Sequence, residues 1–210
     1  MQLRLFVALD LPDPVRDALR SFEAGLKRAA GSVAREVKWV EPASVHLTLQ
    51  FLGSVPEERC AAVEAAVATA AAAARPLGLT LSGSGAFPSA SRPRVLWAGV
   101  AGDLEPLRAL VAGLGRALAP LGYPPEERAF SPHLTLGRAR DARGARALAP
   151  ALGRAGALAP VSWRCGEATL FRSHLSPSGA RYEPLLRARL AGSPAAAPHA
   201  PPAGGPPPGP

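Results

Sequence analysis

The chain is poor in the residues that mark several protein classes. Only two of its 210 residues are cysteines, and Cys60 and Cys165 lie far apart, outside any CxxC or Cys/His metal-ligand spacing. The sequence therefore predicts no disulfide framework and a reducing location, the cytoplasm. It also has no apolar run of the roughly 18 to 20 residues that span a bilayer. The opening segment has no pattern of a secretory signal, so we expect no membrane association.

Lysine is nearly absent, yet the chain is strongly basic. Lys27 and Lys38 are the only lysines among 24 basic residues, and the formal net charge is +8. A positive balance favours anionic partners such as RNA or phosphate-bearing substrates. A chain rich in arginine and alanine also results from coding bias, so the charge alone does not decide between these explanations.

Hydrophobic periodicity predicts one α+β domain over residues 1–190. The predicted strands cover 4–10, 35–40, 45–53, 77–87, 92–100, the segment from 133, 160–173 and 180–190, and the predicted helices cover 12–30, 56–73, 103–119 and 143–154. Residues 191–210 carry no charge and consist mostly of alanine, proline and glycine, so this tail, with His199, is predicted to be disordered. The element order suggests two related lobes that face each other across a cleft.

A four-letter motif, HLTL, occurs twice, at 46–49 and at 133–136. In a strand, side chains alternate between faces, so each histidine shares a face with the threonine two positions later. The leucines take the opposite face, toward a core. Each copy thus presents an imidazole and a hydroxyl together, and one copy is expected to come from each lobe.

Four explanations for the paired motifs compete. Both pairs can be structural, although two identical copies in matching contexts weaken that explanation. A transition metal needs three or four ligands, and neither motif has another His, Cys or carboxylate at ligand spacing; Gln50, on the His46 face by alternation, is a poor ligand. General acid–base catalysis on a cyclic phosphodiester fits two histidines that titrate near neutrality and needs no metal. A cleft that only binds RNA or phosphate is the fourth explanation.

The two motifs and their flanks resemble one known family. The chain is similar to the 2H phosphoesterase superfamily and, more closely, to the bacterial and archaeal RNA 2′,3′-cyclic phosphodiesterases, historically called 2′-5′ RNA ligases. The resemblance covers residues 2 to 190 and rests on "LRLFVALDLP", "VKWVEPASVHLTLQFLG", "GAFPSASRPRVLWAGV", "RAFSPHLTLGR" and "GARYEPL". It implies a bilobal α+β fold, pseudo-two-fold, with two antiparallel sheets around a central basic cleft and helices outside.

The resemblance also implies an activity and its residues. The family hydrolyses RNA 2′,3′-cyclic phosphate ends to 2′-phosphomonoesters without a metal or other cofactor. His46 and Thr48 match the first family motif, and His133 and Thr135 match the second. The family pattern makes the first histidine the proton donor to the leaving 3′ oxygen and the second the base for water. The residues alone do not assign these roles, because the site is close to symmetric.

Further residues match family positions. Arg138 matches a common arginine, implied to contact phosphate, although strict alternation turns it away from His133 unless Gly137 breaks the strand. Tyr182 and Phe51 match positions able to stack on a base, while alternation points Phe51 toward the core. His174 departs from the family's usual "SRL" stretch; a phosphate contact and a solvated side chain are its two interpretations.

Two alternatives to RNA hydrolysis stay open at this level. The same chemistry can act on small cyclic nucleotides or on ADP-ribose cyclic phosphate, and more basic or aromatic residues around the cleft would favour RNA. A non-catalytic RNA- or phosphate-binding module is the alternative from a different class. The partner expected is an oligonucleotide with a 2′,3′-cyclic phosphate end, bound by a monomer.

Overall fold

The computed structural model describes residues 1–176 and 179–192, which fold into nine strands and four α-helices. The strands are β1 (Gln2–Leu9), β2 (Val37–Trp39), β3 (Leu47–Pro56), β4 (Leu77–Ser89), β5 (Arg92–Gly102), β6 (His133–Ala139), β7 (Ser162–Cys165), β8 (Glu167–Ser176) and β9 (Gly179–Arg189). The helices are α1 (Asp13–Ala30), α2 (Cys60–Ala72), α3 (Leu104–Leu118) and α4 (Ala142–Arg154). The tail predicted to be disordered lies, from 193 on, outside the described residues.

The strands form two antiparallel sheets, as the resemblance implies. The first sheet has four strands in the order β3-β1-β8-β9, and the second has five in the order β2-β6-β5-β4-β7. β3 and β6, which carry the two motifs, belong to different sheets and approach each other. Each lobe therefore supplies one motif to the cleft between the sheets.

The two halves of the sequence do not correspond to the two sheets. β2, from the first half, pairs with β6 in the second sheet, and β8 and β9, from the second half, complete the first sheet. The single strand predicted over 160–173 is in fact two strands. Cys165 pairs with β4 in the second sheet and Glu167 with β9 in the first, so the chain changes sheet at Gly166.

The helices cover the faces of the sheets that point away from the cleft. α1 packs against α4, α2 packs against α3, and both pairs contact strands of the sheets. One continuous core joins the leucines of both motifs, Leu47, Leu49, Leu134 and Leu136, to apolar side chains of the helices. Each of these four leucines is at most 5% exposed, so burial fixes which face of each motif strand turns inward.

No helix in the described part of the chain is both long and apolar enough to cross a bilayer.

Candidate active site

The first motif strand contains a β-bulge that changes which residues face the cleft. β1 opposes Ala8 to Thr48 but Phe6 to Phe51, so two steps along β1 match three steps along β3. Ala8 and Phe6 share a face of β1, and cross-strand partners share a face, so Phe51 lies on the same face as Thr48. The expectation that Phe51 points into the core is wrong, and its side chain is 53% exposed.

The same bulge turns Gln50 inward. Alternation places Gln50 on the His46 face, but the register opposes it to the fully buried Val7, and Gln50 is only 3% exposed. Its amide nitrogen donates to the carbonyl oxygens of Tyr123 at 3.1 Å and Pro124 at 3.3 Å. Gln50 therefore ties the first motif strand to the loop that leads to the second motif, and the expectation of a shared face was wrong.

The second motif strand has a bulge at the equivalent place. β5 opposes Trp97 to Thr135 but Val95 to Arg138, again two steps against three. Arg138 therefore lies on the cleft face with Thr135 and is exposed. Strict alternation would have turned it away, and the bulge around Gly137 provides the break that the sequence left open.

The two motifs thus place a third cleft residue at corresponding positions. In each motif the residue three positions after the threonine turns to the cleft, Phe51 in the first and Arg138 in the second. The backbone bulge is the same in both motifs, whereas the side chain at this third position differs. One side of the cleft is consequently aromatic at this position and the other cationic.

Both motif histidines make the same backbone hydrogen bond. Nδ1 of His46 lies 2.9 Å from the carbonyl oxygen of Ser44, and Nδ1 of His133 lies 2.8 Å from that of Ser131. A carbonyl oxygen only accepts, so Nδ1–H is the donor in both rings. Nε2 is then the nitrogen of each ring that can gain or lose a proton.

Aromatic rings surround His46. The Phe6 ring lies 4.7 Å from the imidazole between centroids, and the Tyr182 ring meets it edge-on at 5.0 Å and 89°. Phe51 and Phe171 lie 5.9 and 5.3 Å from Phe6. We call these four rings, Phe6, Phe51, Phe171 and Tyr182, the aromatic patch; Phe6 and Phe171 are buried, and Phe51 is its most exposed ring.

His133 has a smaller aromatic neighbourhood. The Phe87 ring meets its imidazole edge-on at 5.0 Å and 84°, much as Tyr182 meets His46. Trp97, opposite Thr135 in the sheet, lies 5.4 Å from Phe87. No sequence pattern marks Phe87 as a neighbour of the site, because it precedes His133 by 46 positions and only strand pairing brings them together.

Arg16 fixes the segment that precedes the first motif. From α1, its guanidinium donates to three backbone carbonyls within residues 42–45 at 2.7 to 3.3 Å. This segment contains Ser44, whose carbonyl holds the His46 ring. Arg16 therefore supports the orientation of His46 through the backbone. No local pattern pointed to this role, because an arginine on an amphipathic helix is ordinarily a solvated residue.

Burial and nearby charges act on the His46 imidazole in opposite directions. Burial, the largest effect, lowers its pKa below the ordinary value of 6.5, because the charged ring is poorly solvated there. The hydrogen bond to Ser44 and the negative charge of Asp10 raise the pKa, while Arg16 lowers it. Asp10 itself pairs with Arg16 at 3.3 Å and with Arg187 at 3.1 Å.

The charge of Arg138 reaches across the cleft. Burial raises the pKa of the Tyr182 phenol, and the positive charges of Arg138 and Arg4 oppose that rise. Tyr182 belongs to β9 in the first sheet and Arg138 to β6 in the second. The two residues that sequence analysis matched separately to the family therefore lie near each other, on facing sheets.

Comparison with known proteins identifies the family of this chain. The model of the 2′-5′ RNA ligase superfamily matches residues 11–177. The chain belongs to this superfamily. An RNA 2′,3′-cyclic phosphodiesterase of Methanothermobacter thermautotrophicus is 34% identical over 190 residues, which are 90% of this chain and 100% of that relative. Another, from Aeropyrum pernix, is 34% identical over 80% of this chain and 96% of its own length.

Solved structures of the superfamily share the fold. TT0787 of Thermus thermophilus has a TM-score of 0.69 at 31% identity, covering 90% of this chain and 99% of that one. LigT of Escherichia coli, in a complex with 3′-AMP, has a TM-score of 0.70 at 28% identity and the same coverage. The bilobal arrangement of the 2H phosphoesterases is therefore the fold of this chain.

His174 does not face the cleft between the two sheets. The register opposes Ser173 to Tyr182, which places His174 on the opposite face of β8, and its Nε2 lies 2.7 Å from Glu183. The hydrogen bond from His174 lowers the pKa of the Glu183 carboxyl. Neither a phosphate contact nor free solvation describes His174, which is a partner of Glu183.

Within the described residues, no three His, Cys, Asp or Glu side chains come together as a metal-ligand set. Cys60 and Cys165 are free thiols, and burial raises the pKa of the Cys165 thiol to about 11. Neither cysteine belongs to a motif strand, since Cys60 begins α2 and Cys165 ends β7. The motif residues that face the cleft carry imidazole, hydroxyl, phenyl and guanidinium groups.

Proposed function

We propose that this protein hydrolyses 2′,3′-cyclic phosphate ends of RNA to 2′-phosphomonoesters. The observation that carries the proposal is the pair of motif strands from two facing sheets, each holding an imidazole by the same Nδ1 hydrogen bond. A binding site for phosphate needs cations and has no use for two imidazoles with matched free Nε2 atoms. The names of the curated relatives point to the same activity.

The chemical step uses one imidazole as base and the other as acid. Nε2 of His133 takes a proton from water, whose oxygen attacks phosphorus. The bond from phosphorus to the 3′ oxygen breaks, and Nε2–H of His46 gives its proton to that oxygen. The product is a 2′-phosphomonoester with a free 3′-hydroxyl, and the two rings return to their starting states by proton exchange with solvent. The assignment of the two roles follows the family pattern.

A bound substrate anion changes the protonation of His46. Burial keeps His46 mainly neutral in the free protein near pH 7. A bound phosphodiester brings a negative charge next to the ring, and an opposite charge favours the imidazolium. Binding of the phosphodiester therefore favours the protonated ring that an acid role requires.

Hydroxyl and guanidinium groups stabilise the charge that develops on phosphorus. Thr48 and Thr135 lie on the cleft faces two residues after the histidines, where their hydroxyls can donate to non-bridging oxygens. Arg138, exposed on the same face, supplies a positive charge. No step needs a metal.

The aromatic patch supports RNA as the substrate. Phe51 is largely exposed beside His46, and Tyr182 stands edge-on to the same ring. An aromatic face stacks on any base without reading its identity. The terminal nucleoside therefore binds on the patch, while its cyclic phosphate lies between the histidines.

Two finer properties belong to the same proposal. We expect the enzyme to act as a monomer, because both motifs of the site come from one chain. We also expect it in the cytoplasm, where its two free thiols stay reduced. Light scattering during size-exclusion chromatography tests the first expectation, since a stable dimer would contradict it, and fractionation of the cells that produce it tests the second.

Phosphorus NMR tests the reaction directly. A short RNA with a 2′,3′-cyclic phosphate end is incubated with the protein and excess EDTA. The cyclic resonance should be replaced by that of a 2′-phosphomonoester at the rate found without EDTA. An unchanged cyclic resonance would refute the proposal, and a reaction that requires added zinc would refute its metal-free mechanism.

Histidine variants test the mechanism. His46→Ala and His133→Ala should each lower kcat by about 10²- to 10⁴-fold, the usual contribution of one general acid or base. His174→Ala is the matched control, because it removes a third imidazole from the outer face of β8. Full activity in either motif variant, with circular dichroism unchanged, would exclude the two-histidine mechanism.

A further inference from the structure

A groove rich in arginine adjoins the catalytic cleft. Its volume is about 720 Å³, and its walls carry Arg164 from β7 and Arg187 and Arg189 from β9. Thr169 of β8 also lines it. All three arginines are exposed, and we call this space the arginine groove. No part of the proposed hydrolytic step uses it.

Strand pairing connects the groove to the cleft. Ala8 of β1 is opposed to Thr48 on one side and to Thr169 on the other, so the three residues form one row across the first sheet. Neighbouring strands lie about 4.8 Å apart, which puts the backbone of Thr169 roughly 10 Å from that of Thr48. Thr169 is in turn opposed to Arg187. The row therefore places Arg187 of the groove on the same face of the first sheet as Thr48, while Ala8 and Thr169 between them are buried.

Asp10 gives a second link between the two regions. It lines the groove, and its charge acts on the His46 imidazole. Its carboxylate is already paired, with Arg16 at 3.3 Å and with Arg187 at 3.1 Å. The negative charge of Asp10 is thus largely compensated within the wall of the groove.

The charges that remain in the groove favour an anion. Glu167 is the other acidic residue of the lining. Arg164 and Arg189 have no ion pair within the described part of the chain, so two guanidinium groups face one carboxylate. The charge of Arg164 also reaches Asp103, but that carboxylate already pairs with Arg75 at 2.8 Å. Guanidinium binds phosphate oxygens in a bidentate manner, and phosphates lie at every nucleotide of an RNA strand.

We propose that the arginine groove binds backbone phosphates of the nucleotides that precede the cyclic end of an RNA strand. This inference rests on the proposed function and narrows its substrate to oligonucleotides. The aromatic patch and the motifs hold the terminal nucleotide, and the groove holds the chain behind it. An isolated cyclic mononucleotide reaches the motifs but gains nothing from the groove.

The test compares two substrates in one variant. Arg164→Gln/Arg189→Gln removes the unpaired arginines and leaves Arg187, which pairs with Asp10 near His46. For a pentanucleotide with a cyclic end, kcat/KM should fall by about 2- to 30-fold, as expected for the loss of two exposed charge contacts. For a cyclic mononucleotide, kcat/KM should stay within about two-fold of the wild type.

Salt dependence supplies a second readout. The logarithm of the association constant falls linearly with the logarithm of the salt concentration. Each phosphate contact on a single strand contributes about −0.7 to the slope of this line. The variant should therefore lose about 1.4 from the slope measured with the pentanucleotide. Arg20→Gln/Arg108→Gln is the control of equal charge change, because both residues are exposed on helices and pair with an acid of their own helix.

The outcomes separate this inference from the proposed function. The proposed role of the groove would be refuted if kcat/KM fell equally in the groove variant and in the helix control. It would also be refuted if kcat/KM of the groove variant fell equally for both substrates. Fluorescence anisotropy with a labelled pentanucleotide that ends in a 2′-phosphate measures binding without turnover. If neither substrate is hydrolysed, the proposed function is refuted. The proposed role of the groove is then tested by binding alone, since it requires that the groove variant bind this probe more weakly than the wild type.

Discussion

A methyl group at Gly137 should disturb the packing behind the second motif. A Cβ at this position would lie 2.8 Å from Cγ1 of Val37 and 3.2 Å from Cε3 of Trp39, both in β2. Carbon atoms pack at about 3.5 to 4.0 Å, so β2 must move by about 0.7 Å or more to admit the methyl group. Arg138 follows directly and is opposed to Lys38 in β2, so the shift reaches the cleft.

The magnitude follows from the cost of overpacking. Adding a methyl group to a filled space costs about 1 to 3 kcal/mol of unfolding free energy. For a domain of this size, each kcal/mol lowers Tm by about 2 to 4 °C, so Gly137→Ala should lower Tm by about 2 to 12 °C. Val37→Ala removes the atom that clashes, and the cost of Gly137→Ala should be smaller in that background.

Urea unfolding followed by circular dichroism measures these free energies. The matched control is Gly113→Ala in α3, where the nearest atom to a new Cβ is Nη2 of Arg116 at 3.9 Å. Replacing a glycine within a helix should stabilise the protein by up to about 1 kcal/mol. Equal unfolding free energies for Gly137→Ala and the wild type would refute the packing argument.

Four further predictions concern the cleft. Proton–carbon NMR should give His46 a pKa below 6.5 in the free protein, and 2′-AMP should raise it; a pKa unmoved by 2′-AMP would contradict the acid role. The His46 ring binds fewer protons in the folded state than in the unfolded state, because its pKa is lowered by folding. The free energy of unfolding should therefore fall as the pH drops below about 6.5, and this fall should be smaller in His46→Gln than in the wild type. Arg16→Met should lower kcat more than it raises KM and shift the NMR pKa of His46, whereas unchanged kcat and pKa would exclude a positioning role. Phe51→Ala should lower kcat/KM for the cyclic oligonucleotide by about 5- to 150-fold, the usual worth of one stacked base, with unfolding free energy nearly unchanged; equal kcat/KM would remove Phe51 from the site.

Local sequence determined the bounds of helices α1 and α3 and the inward faces of the motif strands, but not the division of residues 160–173 into two strands. The α1 and α3 helices begin and end within one residue of the predicted bounds, because apolar side chains recur there at helical spacing. In both motifs the leucines are buried and the histidines and threonines lie on the other face. A period of two over four residues suffices for that, and the repetition of the motif pointed to the paired imidazoles.

The two β-bulges could not be predicted from the local sequence. Alternation predicted the wrong faces for Phe51 and Gln50, because one extra residue in β3 reverses the alternation after Leu49. Such a residue is visible only against the partner strand, whose register depends on burial in the whole sheet. An equivalent β-bulge in β6 brings Arg138 to the cleft.

Convergence of distant segments was decided by the tertiary structure alone. Phe6 comes from β1, whereas Phe171 and Tyr182 come from the neighbouring strands β8 and β9 near the other end of the chain. They meet around His46 because the first sheet joins both halves of the chain. The arginine groove arises in the same way, where β7 passes into β8 beside the end of β9. The sequence by itself specified the chemical groups and their local faces, which depend on neighbours along the chain. Which groups share one cleft depends on strand pairing between segments more than a hundred residues apart, and only the packed core selects that pairing.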